Sequence, residues 1–246
     1  MQENISNIKL KEGVIVPKFQ ITDIIIRSNN VSSFRFKRPL DFQYLPGQYI
    51  IVQLDIKHQL VQKAFSLSSS PTETEFIEFT KKFTGHEFSE GLKALQLGDS
   101  LNLDGPFGSF TLKENENKIM MLAGGIGVTP FRSMIQYSMD KGIDNDIVMI
   151  CSNRTEDEII FKDDFQEMIT KHPNFSIVLT CTRPTNNWTG ICGRIDRNMI
   201  EKEVPDFHER MFYICGPPVM VESMRELLRS MDIPDNMILF EDFFGY

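Results

Sequence analysis

The hydrophobic pattern changes period near residue 113, and this change constrains the fold more than any other feature. After residue 118 the apolar runs KIMMLAGG, NDIVMICSN, FSIVLTCTR, RMFYICGPP and NMILFEDF alternate with the helical patterns FRSMIQYSMDKG, KDDFQEMITKH and VMVESMRELLRSM. Strands of continuous apolar character are buried on both faces, and alternation with helices points to a parallel sheet covered on both sides. Before residue 113 the runs are shorter: VIVPKFQITDIIIRS, VSSFRFKRP, GQYIIVQLD, KAFSLSS, EFIEFTKKF and DSLNLDGPFG. Several alternate with period two, and turn residues at 28–30, 45–48 and 68–72 separate them. With one helix-like segment (88–96), residues 14–112 predict a small antiparallel β-barrel. The charged stretch KENEN (113–117) predicts a linker, residues 118–246 an α/β domain, and the polar residues 1–13 an N-terminal extension.

A chain of 246 residues is long enough for two such domains. Its net charge of −8 argues against nucleic acid, whose phosphates would repel it. No apolar stretch reaches bilayer length, and the start MQENISNIKLKEG has no secretory pattern. None of the four cysteines stands at CxxC spacing, so no zinc or iron–sulfur pattern is present. Reduced thiols and a cytoplasmic location are the expectation.

Residues 123–130, AGGIGVTP, follow a strand pattern and lead into a helix pattern. Gly125 and Gly127 fit the start of the dinucleotide fingerprint, but Pro130 stands where its third glycine belongs. Thr129 is expected as the N-cap and Pro130 in the first turn, with backbone N–H groups and the helix dipole facing an anion. A plain tight turn between strand and helix is the bland alternative. Cys215, Gly216, Pro217 and Pro218 form a second strand–loop–helix junction, and both loops fall at the carboxyl edge where open α/β sheets bind ligands. Cys215 is either packed or placed to reach a reacting centre. In the barrel half, KAFS (63–66) puts Lys63 and Phe65 on one side of a strand and Ser66 on the other. TKKFTGHEFSEGL (80–92) ends a strand and enters a helix near Ser89, a setting suited to phosphate.

Taken in order, these motifs resemble the ferredoxin–NADP reductase superfamily from about Val14 to Phe243. The resemblance implies a flavin-binding barrel, with FAD expected before FMN, and a domain for NADPH or NADH. It implies that Lys63, Phe65, Ser66, Thr80, Lys81, Gly85, Phe88 and Ser89 line the flavin. Here Lys63 replaces the family's arginine and Phe65 its tyrosine, losing a bidentate fork and a hydroxyl. Gly124, Gly125, Gly127, Thr129, Pro130, Cys215, Gly216 and Pro217 would lie along the coenzyme. Ser66, Cys215, Glu241 and Phe243 would serve the reacting centre, with Phe243 shielding the flavin and Ser66 and Glu241 relaying a proton. Phe244, Gly245 and Tyr246 form an extension past Phe243, and Tyr246 is the next ring to consider should Phe243 not shield the flavin. Arg154, Thr182 and Arg183 follow the second and third α/β strands; a Thr-Arg pair there implies NADPH through its 2′-phosphate.

The reaction so implied passes electrons from NAD(P)H through flavin to a separate acceptor: a ferredoxin, an oxygenase component or a small molecule. Two other readings stand beside it. One is a flavin reductase that releases reduced flavin. The other is a non-catalytic flavin-binding subunit of a larger complex.

Overall fold

The computed structural model describes residues 16–243; the expected extension 1–13 and the tail Phe244-Gly245-Tyr246 lie outside the described residues. The first half forms β1 (Lys18–Ser28), β2 (Val31–Lys37), β3 (Tyr49–Ile56), β4 (Gln59–Ser66), β5 (Phe76–Lys82), α1 (Glu87–Lys93) and β6 (Ser100–Phe107). The strands pair antiparallel in the order β4-β3-β6-β1-β2-β5. The two ends of this sheet meet just past β4, where Leu67 bridges Phe79 and the Ser68 N–H donates to the Glu78 carbonyl at 2.8 Å. Joining the ends removes the open edges that a six-stranded sheet would otherwise expose. The interior is aromatic: Phe19, Phe34, Phe36, Phe65, Phe79 and Phe88 are all buried, with Leu92 of α1 beneath them.

The second half contains β7 (Lys118–Gly124), α2 (Thr129–Asp140), β8 (Asp146–Asn153), α3 (Lys162–Lys171), β9 (Phe175–Cys181), β10 (Ile191–Cys192), α4 (Arg197–Glu203), β11 (Met211–Gly216), α5 (Pro218–Ser230) and β12 (Ile238–Asp242). All six strands run parallel in the order β10-β9-β8-β7-β11-β12. Strand side chains alternate between faces, and β7 shows the result. Ile119, Met121 and Ala123 pack with Phe131 and Met134 of α2 and Phe165 of α3. Met120 and Leu122 pack with Ile200 of α4 and Val221 and Leu228 of α5. The two-residue β10 and the short α4 had no distinct sequence pattern, being too brief to show a period.

The chain leaves β7 toward β8, β9 and β10 on one side and returns on the other through β11 and β12. The order therefore reverses between β7 and β11, the position at which open α/β sheets form a ligand crevice. The two halves share a core, since Phe110, Leu112 and Val31 pack into the cluster beneath α2. Tyr213 of β11 pins the connection: the Lys113 N–H donates to its hydroxyl at 2.9 Å, and the hydroxyl donates to the Thr111 carbonyl at 3.2 Å.

Candidate functional site

The glycine loop after β7 and the Cys215–Pro217 loop after β11 meet in backbone contact at this reversal. A Cβ on Gly127 would strike the Cys215 carbonyl, and one on Gly216 would lie 3.2 Å from the Gly124 backbone. Gly124 faces side chains instead, the Met220 sulfur and the Pro217 ring. Gly125 differs. Its φ of +52° is a left-handed conformation that favours glycine, and the space above it holds no protein atom within 4 Å. Gly125–Val128 form a turn of 3-10 helix that runs straight into α2. This corrects the expected cap. Thr129 lies inside the helix and its hydroxyl donates to the Ile126 carbonyl at 3.0 Å. No separate capping residue is required, because the 3-10 turn already supplies the preceding carbonyls. Pro130 occupies the first turn as expected.

The barrel contributes Ser66, the last residue of β4, and the α/β half contributes Glu241 from β12. Ser66 Oγ donates to Glu241 Oε2 at 3.1 Å. Both residues are buried, at 5% and 7% exposure. Burial raises the Glu241 carboxyl from 4.5 to about 8; the Ser66 hydrogen bond works against the shift and the Asp242 charge adds to it. The carboxyl thus holds a proton at neutral pH between the two domains. Phe243, half-buried, follows β12 and its N–H donates to the Gly216 carbonyl at 3.0 Å, which sets it beside the Cys215–Pro217 loop.

Cys215 is fully buried, and burial together with the Glu241 and Asp242 charges pushes its thiol well above the ordinary range. It packs with Ala123 and Val128 in the core. Desolvation disfavours its thiolate, which supports the packing reading of this side chain.

On the barrel side Lys63 is exposed and Lys81 is 5% exposed, with its Nζ 5.9 Å from the Phe65 ring centroid. Burial and the neighbouring Lys63 cation lower Lys81 from 10.5 to about 8. Phe65 lies on the same strand face as Lys63 but is enclosed: its ring is 4% exposed and stacks on Phe79 at 4.9 Å and on Phe88 at 6.0 Å. The aromatic interior of the barrel draws it in. Thr80 is likewise enclosed, in a hydroxyl chain with Ser33 at 2.7 Å and Ser68 at 2.8 Å. Helix α1 begins at Glu87, close to Ser89 as expected, and Ser89 Oγ accepts the Thr84 N–H at 2.8 Å and closes the turn around Gly85. A Cβ on Gly85 would meet nothing within 4 Å.

These residues fit a flavin dinucleotide and a nicotinamide coenzyme in three respects: open backbone at Gly85 and Gly125, paired cations at Lys63 and Lys81, and a protonated carboxyl at the junction. Arg154 and Arg183 are exposed at the ends of β8 and β9, where the Arg183 N–H donates to the Arg154 carbonyl at 2.7 Å and the Thr182 N–H to the Asn153 carbonyl at 3.0 Å. This places the two arginines side by side past the carboxyl ends of β8 and β9. The charged cluster around Arg132, Glu73, Asp164 and Arg27 gave no sequence signal, because its members come from distant segments without a shared spacing. Among the described residues no group of His, Cys, Asp and Glu is arranged to hold a metal ion, and no helix is long and apolar enough to cross a membrane.

Residues 18–112 match the oxidoreductase FAD-binding domain and residues 121–226 the oxidoreductase NAD-binding domain. The glycine betaine monooxygenase reductase subunit of Chromohalobacter salexigens is 31% identical over 203 residues, covering 80% of this chain and 55% of that protein. NADH-cytochrome b5 reductase 1 of Dictyostelium discoideum is 30% identical over 228 residues, covering 90% of this chain and 80% of that one. The crystal structure of a ferredoxin NADP+ reductase from Neisseria gonorrhoeae with bound FAD and NADP superposes with a TM-score of 0.79 at 20% identity, over 94% of this chain and all of that one. The chain spans about half the length of the monooxygenase reductase subunit. An antiparallel barrel matched as FAD-binding, a parallel sheet matched as NAD-binding, and a relative covered over most of its length together make this chain a member of the ferredoxin–NADP reductase superfamily.

Proposed function

We propose that the chain oxidises NAD(P)H at a bound FAD and hands the electrons to a separate acceptor, within a barrel of residues 14–112 and a coenzyme domain of residues 118–246. The observation that carries this reading is the Ser66–Glu241 hydrogen bond, which joins the two domains at the reversal point of the sheet. FAD, when bound, accepts a hydride as two electrons together and gives electrons up singly. The chain's own residues supply binding, orientation and a proton. Lys63, Lys81 and the turn from Gly85 through Phe88 to Ser89 hold the flavin phosphates, with Thr80 and Phe65 supporting that wall. Gly124, Gly125, Gly127, Thr129 and Pro130 present backbone and helix dipole to the coenzyme, and Gly216 and Pro217 border it. Cys215 contributes packing. Glu241, protonated below pH about 8, holds a proton on its carboxyl while its Oε2 accepts the Ser66 hydroxyl. Phe243 covers the face that the nicotinamide must take.

Arg183, with Thr182 and Arg154, favours NADPH, because a guanidinium fork suits the 2′-phosphate. The acceptor is a one-electron protein, a ferredoxin or an oxygenase component, as the name of the monooxygenase reductase subunit suggests for that relative. Free cysteines fit a cytoplasmic setting.

The test is anaerobic. The purified protein is expected to be yellow, and NADPH is expected to bleach it at a rate that stopped-flow absorbance resolves. A yellow protein that neither NADPH nor NADH bleaches overturns the reading and leaves a non-catalytic flavin-binding subunit. A second reading, a flavin reductase that releases reduced flavin, draws on the covered ring of Phe65, which offers the flavin little stacking area. Loss of the yellow colour on gel filtration favours that second reading.

A further inference from the structure

Arg132 lies in the first turn of α2, two residues past Pro130, and is 5% exposed. Its Nη1 donates to the Ser68 carbonyl at 3.0 Å and to Glu73 Oε2 at 2.6 Å, and its Nη2 to Glu73 Oε1 at 3.0 Å. Its Nε donates to Asp164 Oδ1 of α3 at 3.0 Å. The next residue repeats the link: Ser133 Oγ donates to the Ser69 carbonyl at 2.6 Å. Helix α2 carries the coenzyme loop at its start, and segment 68–73 leaves β4 directly after Ser66. Two consecutive residues of α2 therefore bind the coenzyme loop to the strand end that holds Ser66.

The cluster extends behind this contact. Arg27 of β1 donates to Asp164 Oδ2 at 3.3 Å and to Glu78 Oε2 at 3.2 Å, and Arg35 donates to the same Glu78 oxygen at 2.8 Å. Phe161 lies beneath both guanidinium groups, its ring centroid 4.7 Å from Arg27 Cζ and 6.0 Å from Arg132 Cζ. Burial opposes the Arg132 charge, and the Glu73, Asp164 and Glu78 carboxylates more than offset it. A buried ion pair adds little net stability over an apolar contact of the same shape, whereas a two-pronged guanidinium fixes orientation. Cohesion of the domains is already supplied by Phe110 and Leu112.

We propose that Arg132 is a positioning residue for hydride transfer, setting the glycine loop relative to Ser66 through its fork to Glu73. The inference rests on the reading that coenzyme and flavin meet at that junction. Small displacements there are costly, since misplacement by about 1 Å lowers a rate on the order of a hundredfold.

The experiment compares wild type, Arg132→Lys and Glu73→Gln as FAD-loaded proteins. It measures the limiting rate of flavin reduction, the coenzyme dissociation constant, and hydrogen exchange of the amides in segment 68–73. Arg132→Lys keeps the charge and loses the fork; Glu73→Gln leaves α2 untouched. In both variants the limiting rate is expected to fall by about tenfold to a hundredfold. FAD content and coenzyme affinity stay within about twofold of wild type, and exchange in segment 68–73 speeds up. The deuterium isotope effect with labelled coenzyme is expected to rise, because transfer has become the slow step. Faster exchange with an unchanged limiting rate overturns the proposal and makes Arg132 a clamp only. A fall in affinity with no fall in limiting rate also overturns it. If wild-type flavin is reduced by neither coenzyme, the underlying reading fails instead, and the exchange data still report whether the fork holds the segment.

Discussion

Replacing Glu241 by glutamine tests the electrostatics of the junction most directly. The wild-type carboxyl is buried, accepts one hydrogen bond from Ser66 and titrates near 8 instead of 4.5. The folded state therefore binds a proton that the unfolded state has already released between those two values. Folding stability from this group is fully present below pH 4.5 and is lost as pH rises toward 8. At about 1.4 kcal/mol per tenfold change in proton affinity, the loss amounts to about 4–5 kcal/mol by pH 8. Glutamine keeps an acceptor for Ser66 and carries no charge at any pH. Wild type should thus lose stability relative to Glu241→Gln as pH rises from 5 to 8, and the difference should level off above 8. Taking the difference matters, because Lys81, lowered to about 8, has the opposite slope above that value in both proteins. Denaturant titrations at pH 5, 6, 7, 8 and 9 measure it. Parallel stability profiles for the two proteins across that range would refute the argument, since they require a carboxyl already ionised in the folded state.

Gly127→Ala should cost about 1–3 kcal/mol, because the new methyl meets strand backbone that cannot move aside; an unchanged thermal midpoint would contradict the close approach of β7 and β11. Arg183→Ala should raise KM for NADPH by roughly tenfold to a hundredfold while sparing NADH, as expected for about 1.5–3 kcal/mol of charged hydrogen bonding. Equal effects on the two coenzymes would reduce that arginine to a surface group. Phe243→Ser should tighten NADP+ binding, since removing a ring whose stacking is worth about 0.5–1.5 kcal/mol ends its competition with nicotinamide. Weaker binding in a titration, with FAD still in place, would reject the shielding role.

The division into a barrel and a parallel sheet was legible from residues alone, because strand and helix periods are local properties. The apolar runs around 119–123 and 211–215 and the alternating runs before 107 each declared their element type within a few residues. The two glycine loops were legible for the same reason, and at Gly127 backbone approaches backbone so closely that a Cβ would strike the Cys215 carbonyl. Contacts between segments were not legible from the residues themselves. The resemblance to a known family named Ser66 and Glu241 as a pair, but their 3.1 Å contact and the raised carboxyl depend on burial that only the packed domains create. The strand period put Phe65 on the side of Lys63, but its stacking on Phe79 and Phe88 in the barrel interior came only from the fold. Cys215 read first as a packed residue and second as a reactive one, and its enclosure was known only from the fold. Arg132, Glu73, Asp164 and Arg27 had no pattern at all, since a side-chain cluster assembled from four distant segments has no period along the chain. What the sequence by itself determined is the type of the longer elements and the two glycine junctions between strand and helix. The tertiary structure decided which side chains lose their water, and desolvation is what sets the proton on Glu241, silences Cys215 and holds Arg132 in place.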